Sequence, residues 1–332
     1  MSNELRGAAA PAGTAPVPAA RPPAPAPVPA GRSRATARRL RQLTGFLFVV
    51  PAVVLFCGFV GYPFIRSIYI SMTRWSGIGA PQFVGTRNFT AVVHDPVFWV
   101  ALRQTLLFVG VTTVIQTVLP LGLAALLSGR TRRAGALRTI FFLPHVISLT
   151  TAGIIWQNLY DPNFGAFNRI LGAVGLGGLR QNWLAQDHTV LWSIAMVAIW
   201  GGIGYYLIIY VAALQGISPA VYEAGRVDGA NRWHEFRYLT VPLLRPATAI
   251  VLTLNLINGL KTFEVVYVMS GGGPNHASEM LSTQMYNVAF GSAVGGVPSF
   301  GYATTIGLVI MLLAVAAAVV QMLVGRRARD GR

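Results

Sequence analysis

Six long apolar runs restrict how this chain can fold more than any other feature of the sequence. Each is long enough for an α-helix to cross the hydrocarbon core of a bilayer, which takes about 20 residues. The runs cover residues 44–65, 104–127, 139–160, 189–214, 246–269 and 302–324. Composition agrees with a membrane protein, since 54% of the residues are hydrophobic and 11% are charged. The sequence therefore predicts an all-α membrane protein with six transmembrane helices in one domain, residues 43–325.

Arginines lie between and beyond these runs. If the N-terminus is cytoplasmic, nineteen arginines fall on the cytoplasmic side and six on or near the outer side. Cytoplasmic loops of membrane proteins carry such an excess of basic residues. We therefore expect a multi-pass protein of the cell membrane, surrounded by lipid, with both termini in the cytoplasm. The net charge of +16 then reflects membrane orientation, and nucleic acid is not an expected partner.

The two ends of the chain differ from the apolar runs in composition. Residues 1–42 consist mainly of alanine and proline and end in a cluster of arginines. Such a segment cannot bury a core, so we expect a disordered cytoplasmic tail. It lacks the apolar stretch of a signal peptide. Residues 326–332 form a second, shorter basic tail.

The longest charged segment between two apolar runs is residues 215–245, which we call the central loop. Ser218 and Pro219 are typical of a helix N-terminus, with a hydroxyl that can cap the helix and a proline at its first position. The predicted helix continues to Val227. Gly229 is expected to permit a sharp bend there, because glycine adopts backbone conformations that other residues avoid.

The second helix of the central loop, predicted from about Asn231, is amphipathic. Trp233, Phe236 and Leu239 lie three residues apart on one face, with arginines and glutamates beside them. Pro242 is expected to end it. Such a helix pair either lies passively in the lipid interface or docks into a groove of a partner protein. Acidic residues among the arginines and a narrow apolar edge favour docking.

The central loop also resembles the cytoplasmic signature of the membrane-spanning subunits of binding-protein-dependent ABC importers. That signature runs Glu-Ala-Ala, then Asp-Gly-Ala, then Phe, Ile and Pro at set intervals. The matching residues are Glu223, Ala224, Gly225, Asp228, Gly229, Ala230, Phe236, Leu239 and Pro242. Gly225 departs from the second alanine and Leu239 from the isoleucine. The resemblance implies a type I permease in which this loop forms coupling helices that seat in a cleft of an ATPase subunit, with Glu223 contacting that subunit.

Other segments extend the resemblance over about residues 44–325. They are Phe83 to Phe89, Leu143-Pro144 through Trp156, Gly165 to Asn168, and Gly272-Gly273-Pro274. The last is similar to a pattern of the carbohydrate branch, and a tyrosine before Glu223 is more like the first permease of a pair. The resemblance thus implies four partner chains: a second, homologous permease subunit, two ATPase subunits and an extracytoplasmic solute-binding protein.

Motifs for energy coupling and catalysis are missing from the sequence. A phosphate-binding loop ends in Gly-Lys-Ser/Thr, but Lys261 is the only lysine and it follows Leu260. Cys57 is the only cysteine, and the histidines lack the spacing of metal ligands. We therefore expect no catalytic residues, no metal site and no cofactor. The chain would be a translocation pore subunit, and ATP would be bound and hydrolysed by a partner chain.

Polar and aromatic residues in two of the apolar runs are candidates for the substrate path. They are Trp200, Gly202 and Tyr205 in the fourth run, and Asn255, Asn258, Lys261, Thr262 and Glu264 in the fifth. Asn255, Asn258 and Thr262 are spaced to share one helix face, which should point at a partner helix or a wet cavity. Hydrogen bonding between helices explains this face as well as pore lining does. Lys261 and Glu264 are close enough to pair with each other.

The resemblance implies import of a mono- or oligosaccharide by alternating access. Two alternatives stay open. One is an ABC importer of another solute, such as glycerol phosphate or a polyol. The other, from a different class, is an ion-coupled secondary transporter, for which Lys261 and Glu264 would be the charged site.

Overall fold

The computed structural model describes residues 46–129, 132–291 and 296–330, with side chains up to Leu323. The predicted tail of residues 1–42 lies outside the described residues. The chain divides into two units, the first ending at Gly61 and the second starting at Tyr62. Of the first unit, the structure describes residues 46–61. The candidate functional residues all belong to the second unit.

The described chain is mostly helical. In order, the helices are α1 Phe46–Ser71, α2 Arg87–His94, α3 Pro96–Leu126, α4 Arg132–Val146, α5 Leu149–Leu159, α6 Ala166–Ala173, α7 Val190–Gln215, α8 Pro219–Val227, α9 Arg232–Leu243, α10 Arg245–Leu260, α11 Glu264–Ser270, α12 Leu281–Phe290 and α13 Phe300–Asp330. A single 3-10 turn covers Gly177–Leu179, and α1 and α9 contain π-helical segments. Two short strands, Thr73–Arg74 and Gln82–Phe83, pair antiparallel.

Four of the described helices are long and apolar enough to cross a membrane by themselves: α1, α3, α7 and the part of α13 from Phe300 to Leu323. Two further candidates are bent pairs, α4 with α5 at 95° and α9 with α10 at 66°. If each bent pair counts as one span, the described chain has up to six, the number that the apolar runs predict. The helix α13 continues past its apolar part through Asp330.

The third apolar run does not form one straight helix, as its length suggested. Helix α4 ends at Val146, two residues after Pro144, which lacks the N–H that an interior helix position needs. Ser148 then caps α5, because its Oγ accepts a hydrogen bond from the Thr151 N–H at 3.2 Å. Proline and this cap together produce the 95° bend.

The fifth run is also broken, so the prediction of one helix over residues 246–269 was wrong. Helix α10 ends at Leu260, and α11 starts at Glu264. Between them, Phe263 leaves the helical region with φ −132° and ψ −54°. The Glu264 carboxylate lies in the first turn of α11, where the helix dipole favours a negative charge.

The Asp95 carboxylate, at the start of α3, accepts hydrogen bonds from three helices. Its Oδ1 accepts a hydrogen bond from the Val97 N–H at 2.8 Å and caps α3, which therefore starts earlier than the predicted run. Its Oδ2 accepts from Gln284 Nε2 at 3.2 Å and from the Tyr302 hydroxyl. One half-buried carboxylate thus joins α3, α12 and α13.

Helix α7 lies at the centre of the second unit and packs against α3, α4, α5, α10 and α11. Its approach to α4 depends on Gly204. A Cβ atom at this position would lie 2.2 Å from the Phe141 carbonyl oxygen and 2.5 Å from the Phe142 Cα. Small residues permit such close helix crossings within membranes. His145 strengthens the crossing, since its Nδ1 lies 3.2 Å from the Gly201 carbonyl oxygen.

We expect Gly204→Ala to destabilise the protein by about 1–3 kcal/mol, because the added methyl group meets backbone atoms that cannot move aside. Gly110→Ala is the matched control, since a Cβ there meets nothing within 4 Å. It should be neutral or stabilise the helix by up to about 1 kcal/mol. Thermal unfolding of the two purified variants in detergent measures the difference. Equal midpoints for both variants would contradict a close α4–α7 crossing.

Candidate functional site

The central loop forms a hairpin of two short helices, α8 and α9, as predicted. Pro219 is the first residue of α8, and the helix ends at Val227. Ser218 is the N-cap residue and has extended backbone, as predicted. Its side chain makes no capping hydrogen bond, so the prediction that the hydroxyl caps the helix is wrong. The proline alone therefore marks the start, because its fixed φ suits the first helical position.

Gly229 makes the bend between the two helices. Its φ is +81°, in the left-handed region, as the prediction of a sharp bend requires. The Gly229 N–H donates to the Arg226 carbonyl at 3.0 Å, and the Ala230 N–H donates to the Gly225 carbonyl at 2.9 Å. These two bonds form a Schellman motif, which satisfies the last carbonyls of α8. The Asp-Gly-Ala sequence is therefore a helix terminator with a defined geometry.

Helix α9 begins after Asn231, whose side chain caps it by accepting a hydrogen bond from the His234 N–H at 2.9 Å. The Trp233 and Phe236 rings lie 5.9 Å apart on the predicted apolar face. Pro242 does not end the helix, in contrast to the prediction, because α9 passes through it to Leu243. The π-helical segment Glu235–Thr240 ends two residues before this proline and changes the backbone hydrogen bonding there.

Two side-chain hydrogen bonds join α8 to α9. Arg226 Nε lies 2.7 Å from Glu235 Oε1, and this bond raises the pKa of Arg226 above its usual value. The Tyr222 hydroxyl lies 3.2 Å from Thr240 Oγ1. Neither pair was predicted, because the partners are nine and more residues apart and meet only after the bend at Gly229.

The two departures from the family signature face each other across the hairpin. A Cβ atom on Gly225 would lie 2.8 Å from Leu239 Cδ1. The absence of a side chain at residue 225 thus makes room for leucine at residue 239. Sequence spacing alone did not reveal this close approach.

One side of the hairpin is open to its surroundings. Glu223, Ala224 and Asp228 are exposed, as are the apolar side chains of Val227, at 87%, and Trp233, at 66%. A cavity of about 940 Å³ lies beside the hairpin. It is lined by apolar residues at the ends of α3 and α7 and by hairpin residues that include Glu223, Arg226 and Trp233, so Glu223 and Trp233 border the cavity as well as being exposed.

The predicted path residues of α7 take part in helix packing. Trp200 is half-buried, and its ring lies 5.5 Å from that of Trp156. Tyr205 stacks on His145 with ring centroids 4.9 Å apart. Gly202 lies beside the side chain of Gln116.

Gln116 and His145 are two polar contributors that the sequence reasoning missed. Gln116 Nε2 donates to the Ala198 carbonyl at 2.9 Å, which joins α3 to α7. His145 contacts both Tyr205 and the Gly201 backbone. Both belong to other apolar runs than the residues they contact. Only the packing of α3 and α4 on α7 brings these groups together.

Of the three path residues of the fifth run that were predicted to share one face, only Asn255 and Asn258 lie on the same helix, α10. Asn255 is buried and donates to the Val251 carbonyl of its own helix at 3.1 Å, whereas Asn258 is exposed. Thr262 lies beyond the end of α10, so the spacing argument fails there. Lys261 and Glu264 are both exposed and form no ion pair within the described residues, so the expected pairing is wrong.

The fold is that of solved ABC importers. A bacterial ABC transporter involved in the import of the acidic polysaccharide alginate matches with a TM-score of 0.75 and 24% identity. The match covers 89% of this chain and 99% of that chain.

Two relatives are similar over most of their length. The lactose transport system permease protein of Rhizobium radiobacter is 36% identical over 284 residues, which are 85% of this chain and 93% of that protein. The diacetylchitobiose uptake system permease protein of Streptomyces coelicolor is 32% identical over 303 residues, covering 87% and 84%. Residues 25–330 match the family described as the binding-protein-dependent transport system inner membrane component. These matches confirm the resemblance carried by the central loop, and the chain belongs to this family of transport permeases.

Proposed function

We propose that this chain is the permease subunit of an ABC importer that carries a sugar across the cytoplasmic membrane. The central loop carries the proposal, because its hairpin has the signature residues in a defined arrangement in which Glu223, Ala224, Asp228 and Gly229 are exposed. Relatives named for lactose, diacetylchitobiose and trehalose/maltose transport support a sugar as the substrate. The proposed partners are a second permease, two ATPase subunits and an extracytoplasmic solute-binding protein.

The exposed side of the hairpin is the proposed contact with the ATPase. Val227 and Trp233 are large apolar side chains that stand open at the end of the bundle. Exposed apolar patches rimmed by charge are typical of protein interfaces. Glu223 lies on the same exposed helix and would make charge-assisted hydrogen bonds to the ATPase.

The hairpin would act as a rigid lever, because its two helices are joined at three points. These are the Arg226–Glu235 ion pair, the Tyr222–Thr240 hydrogen bond and the packing of Gly225 on Leu239. Only Leu244 separates α9 from α10. A displacement of the hairpin is therefore transmitted to α10, which carries Asn255 and Asn258 of the proposed substrate path.

Exposed polar groups near the end of α10 would line that path together with the second permease. Asn258, Lys261 and Glu264 are exposed in the single chain, although they lie beside an apolar span. Side chains of this kind are costly in lipid, so they favour a water-filled surface between subunits. Tyr205 and His145, stacked on each other, offer aromatic and polar groups from α7 and α4.

Purification of the permease from its own membrane, followed by uptake measurements in vesicles, tests the proposed function. We expect an ATPase and a second permease to be recovered with it, and sugar uptake to require ATP. Recovery of the chain alone, with uptake driven by an ion gradient, would support the secondary-transporter alternative instead.

Gly229→Val should abolish ATP-dependent uptake while leaving the protein in the membrane. A β-branched residue is strongly disfavoured at φ +81°, so the Schellman motif and the bend should be lost. Gly175→Val is the matched control, because Gly175 has the same φ, lies outside the central loop and also has open space around its Cβ position. It should retain uptake. Normal uptake by Gly229→Val would refute the role of this bend in coupling.

Gly225→Ala should lower uptake, because Leu239 Cδ1 must move aside for a methyl group that would otherwise lie 2.8 Å from it. In stability, this cost is offset by a gain of about 1 kcal/mol in helix propensity. Leu239→Ile in the same chain should recover most of the loss, since isoleucine has one δ-methyl group where leucine has two. Binding-protein-stimulated ATPase activity of the two single variants and the double variant measures this coupling. Strictly additive losses would show that the two residues do not contact each other.

A further inference from the structure

Helix α6 is apolar on two sides, and the rest of the second unit covers only one of them. Phe167 is half-buried and Asn168 is buried on the inner side. Ala166, Ile170 and Ala173 are exposed, and their spacing places them together on the outward face. A helix that is apolar all round is normally covered on all sides. The outward face of α6 therefore requires something to cover it that the single chain does not supply.

The chain that follows α6 adds further exposed apolar side chains beside this face. The 3-10 turn Gly177–Leu179 packs back against α6. Five large apolar side chains before, within and after the helix are between 49% and 77% exposed. They form what we call the apolar patch: Phe164, Ile170, Val174, Leu176 and Leu179. A surface of this kind marks a contact with a partner or with lipid.

Two arginines border the apolar patch. The guanidinium group of Arg180 lies over Gly172, where a Cβ atom would overlap Arg180 Nη2. Arg169 is three residues before Gly172 and so is its neighbour on the helix surface. Both arginine side chains are exposed and form no ion pair or hydrogen bond within the described residues. Residues 164–180 contain no aspartate or glutamate. The patch thus carries two positive charges that are free to bind an anion.

Hydrogen bonds and ring contacts hold α6 level with the ends of two spans. Asn168 Oδ1 accepts a hydrogen bond from Trp183 Nε1 at 2.8 Å. The Trp183 carbonyl in turn accepts one at 3.0 Å from Ser193 Oγ, in the first turn of α7. The Phe167 ring lies 5.3 Å from that of Tyr160, which directly follows α5. Tryptophan and tyrosine at span ends are typical of the membrane–water interface. The apolar patch is therefore fixed at the depth where lipid headgroups lie.

The apolar patch and the central loop lie at opposite ends of α7. Helix α7 has 26 residues, which corresponds to a length of about 39 Å. The central loop follows its last residue, Gln215, whereas α6 is bonded to its first turn. The ATPase proposed to contact the hairpin is therefore out of reach of the patch.

We propose that the outward side of residues 164–180 lies in the membrane interface and binds the headgroup phosphate of an anionic phospholipid. Arg169 and Arg180 donate charge-assisted hydrogen bonds to the phosphate. The apolar patch enters the boundary between the headgroups and the acyl chains, which interfacial helices with basic residues do in the same way. The bound lipid fixes the depth of the start of α7 in the bilayer. This inference concerns a lipid ligand and does not depend on which solute is transported.

Thermal unfolding of the full-length permease, with the subunits that purify with it, tests the phosphate contact. Phosphatidylglycerol is titrated into the detergent micelles, and the rise in the unfolding midpoint gives its half-saturating concentration. We expect Arg169→Gln and Arg180→Gln each to raise that concentration by about fivefold. Arg87→Gln is the matched control, because Arg87 is an exposed arginine of α2 that also forms no ion pair in the described part of the chain. It should behave as wild type.

Several results of this titration would overturn the site. One is an unchanged half-saturating concentration in both variants, and another is an equal increase in the Arg87→Gln control. An equal rise in the midpoint with phosphatidylcholine would show that the headgroup charge is not recognised. An equal rise with inorganic phosphate would show a site for a soluble anion, not for a lipid.

A fluorescence measurement tests the apolar patch without the arginine variants. Ile170→Cys, combined with Cys57→Ser to remove the natural thiol, is labelled with bimane, and the protein with its partners is placed in vesicles containing phosphatidylglycerol. Lipids with a nitroxide near the headgroup should quench this probe strongly. Val227→Cys is the matched control, because Val227 is an 87% exposed apolar residue at the other end of α7. We expect little quenching there.

Equal quenching at residues 170 and 227 would contradict the proposal. So would a probe at residue 170 that lipid does not reach because the second permease or an added solute-binding protein covers it. Neither measurement requires sugar uptake, so a failure of the proposed transport function and a failure of the lipid site are distinguishable.

Discussion

The close crossing of α4 and α7 at Gly204 is the contact on which the arrangement of the second unit depends. Without a side chain at this position, the backbone of α4 reaches α7 directly, and Phe141 takes the space that a Cβ would occupy. Helix α7 can then contact α3 and α10 on its other sides. Apolar burial cannot select this geometry within a membrane, because lipid tails are as apolar as leucine. Steric fit and hydrogen bonds such as His145 to Gly201 must do so.

The central loop stands on the end of this central helix. Helix α7 ends at Gln215, and α8 starts four residues later, so the hairpin is anchored to the most enclosed element of the unit. Its other end continues through α9 into α10. The hairpin thus connects two helices that pack against each other, and a force applied at α8 acts on both.

Local chemistry explains which parts of this arrangement the sequence predicts. Pro219 and Gly229 each determine the backbone conformation at their own position. The predicted start of α8 and the predicted bend after it are therefore correct. Hydropathy predicts the spans but misses the breaks within them, because it is averaged over many residues. The cap at Ser148 and the non-helical backbone of Phe263 are single residues, which change such an average little. The contact between Arg226 and Glu235 forms only because the chain bends at Gly229, so the sequence spacing of the two residues does not predict it. The close approach of Gly225 to Leu239 cannot be predicted from the sequence for the same reason.

The breaks in the apolar runs indicate where polar groups can be placed within the membrane. A helix that ends within a membrane leaves backbone groups without helical partners, and these are tolerated only where protein or water satisfies them. The chain between Leu260 and Glu264 is such a place, since the Thr262 carbonyl accepts a hydrogen bond from Ser282 in α12. This bond holds the break against α12. The interruption of α10 therefore does more than end a span: it is followed by a packed contact in which the rings of Phe263 and Tyr267 meet that of Tyr286 in α12.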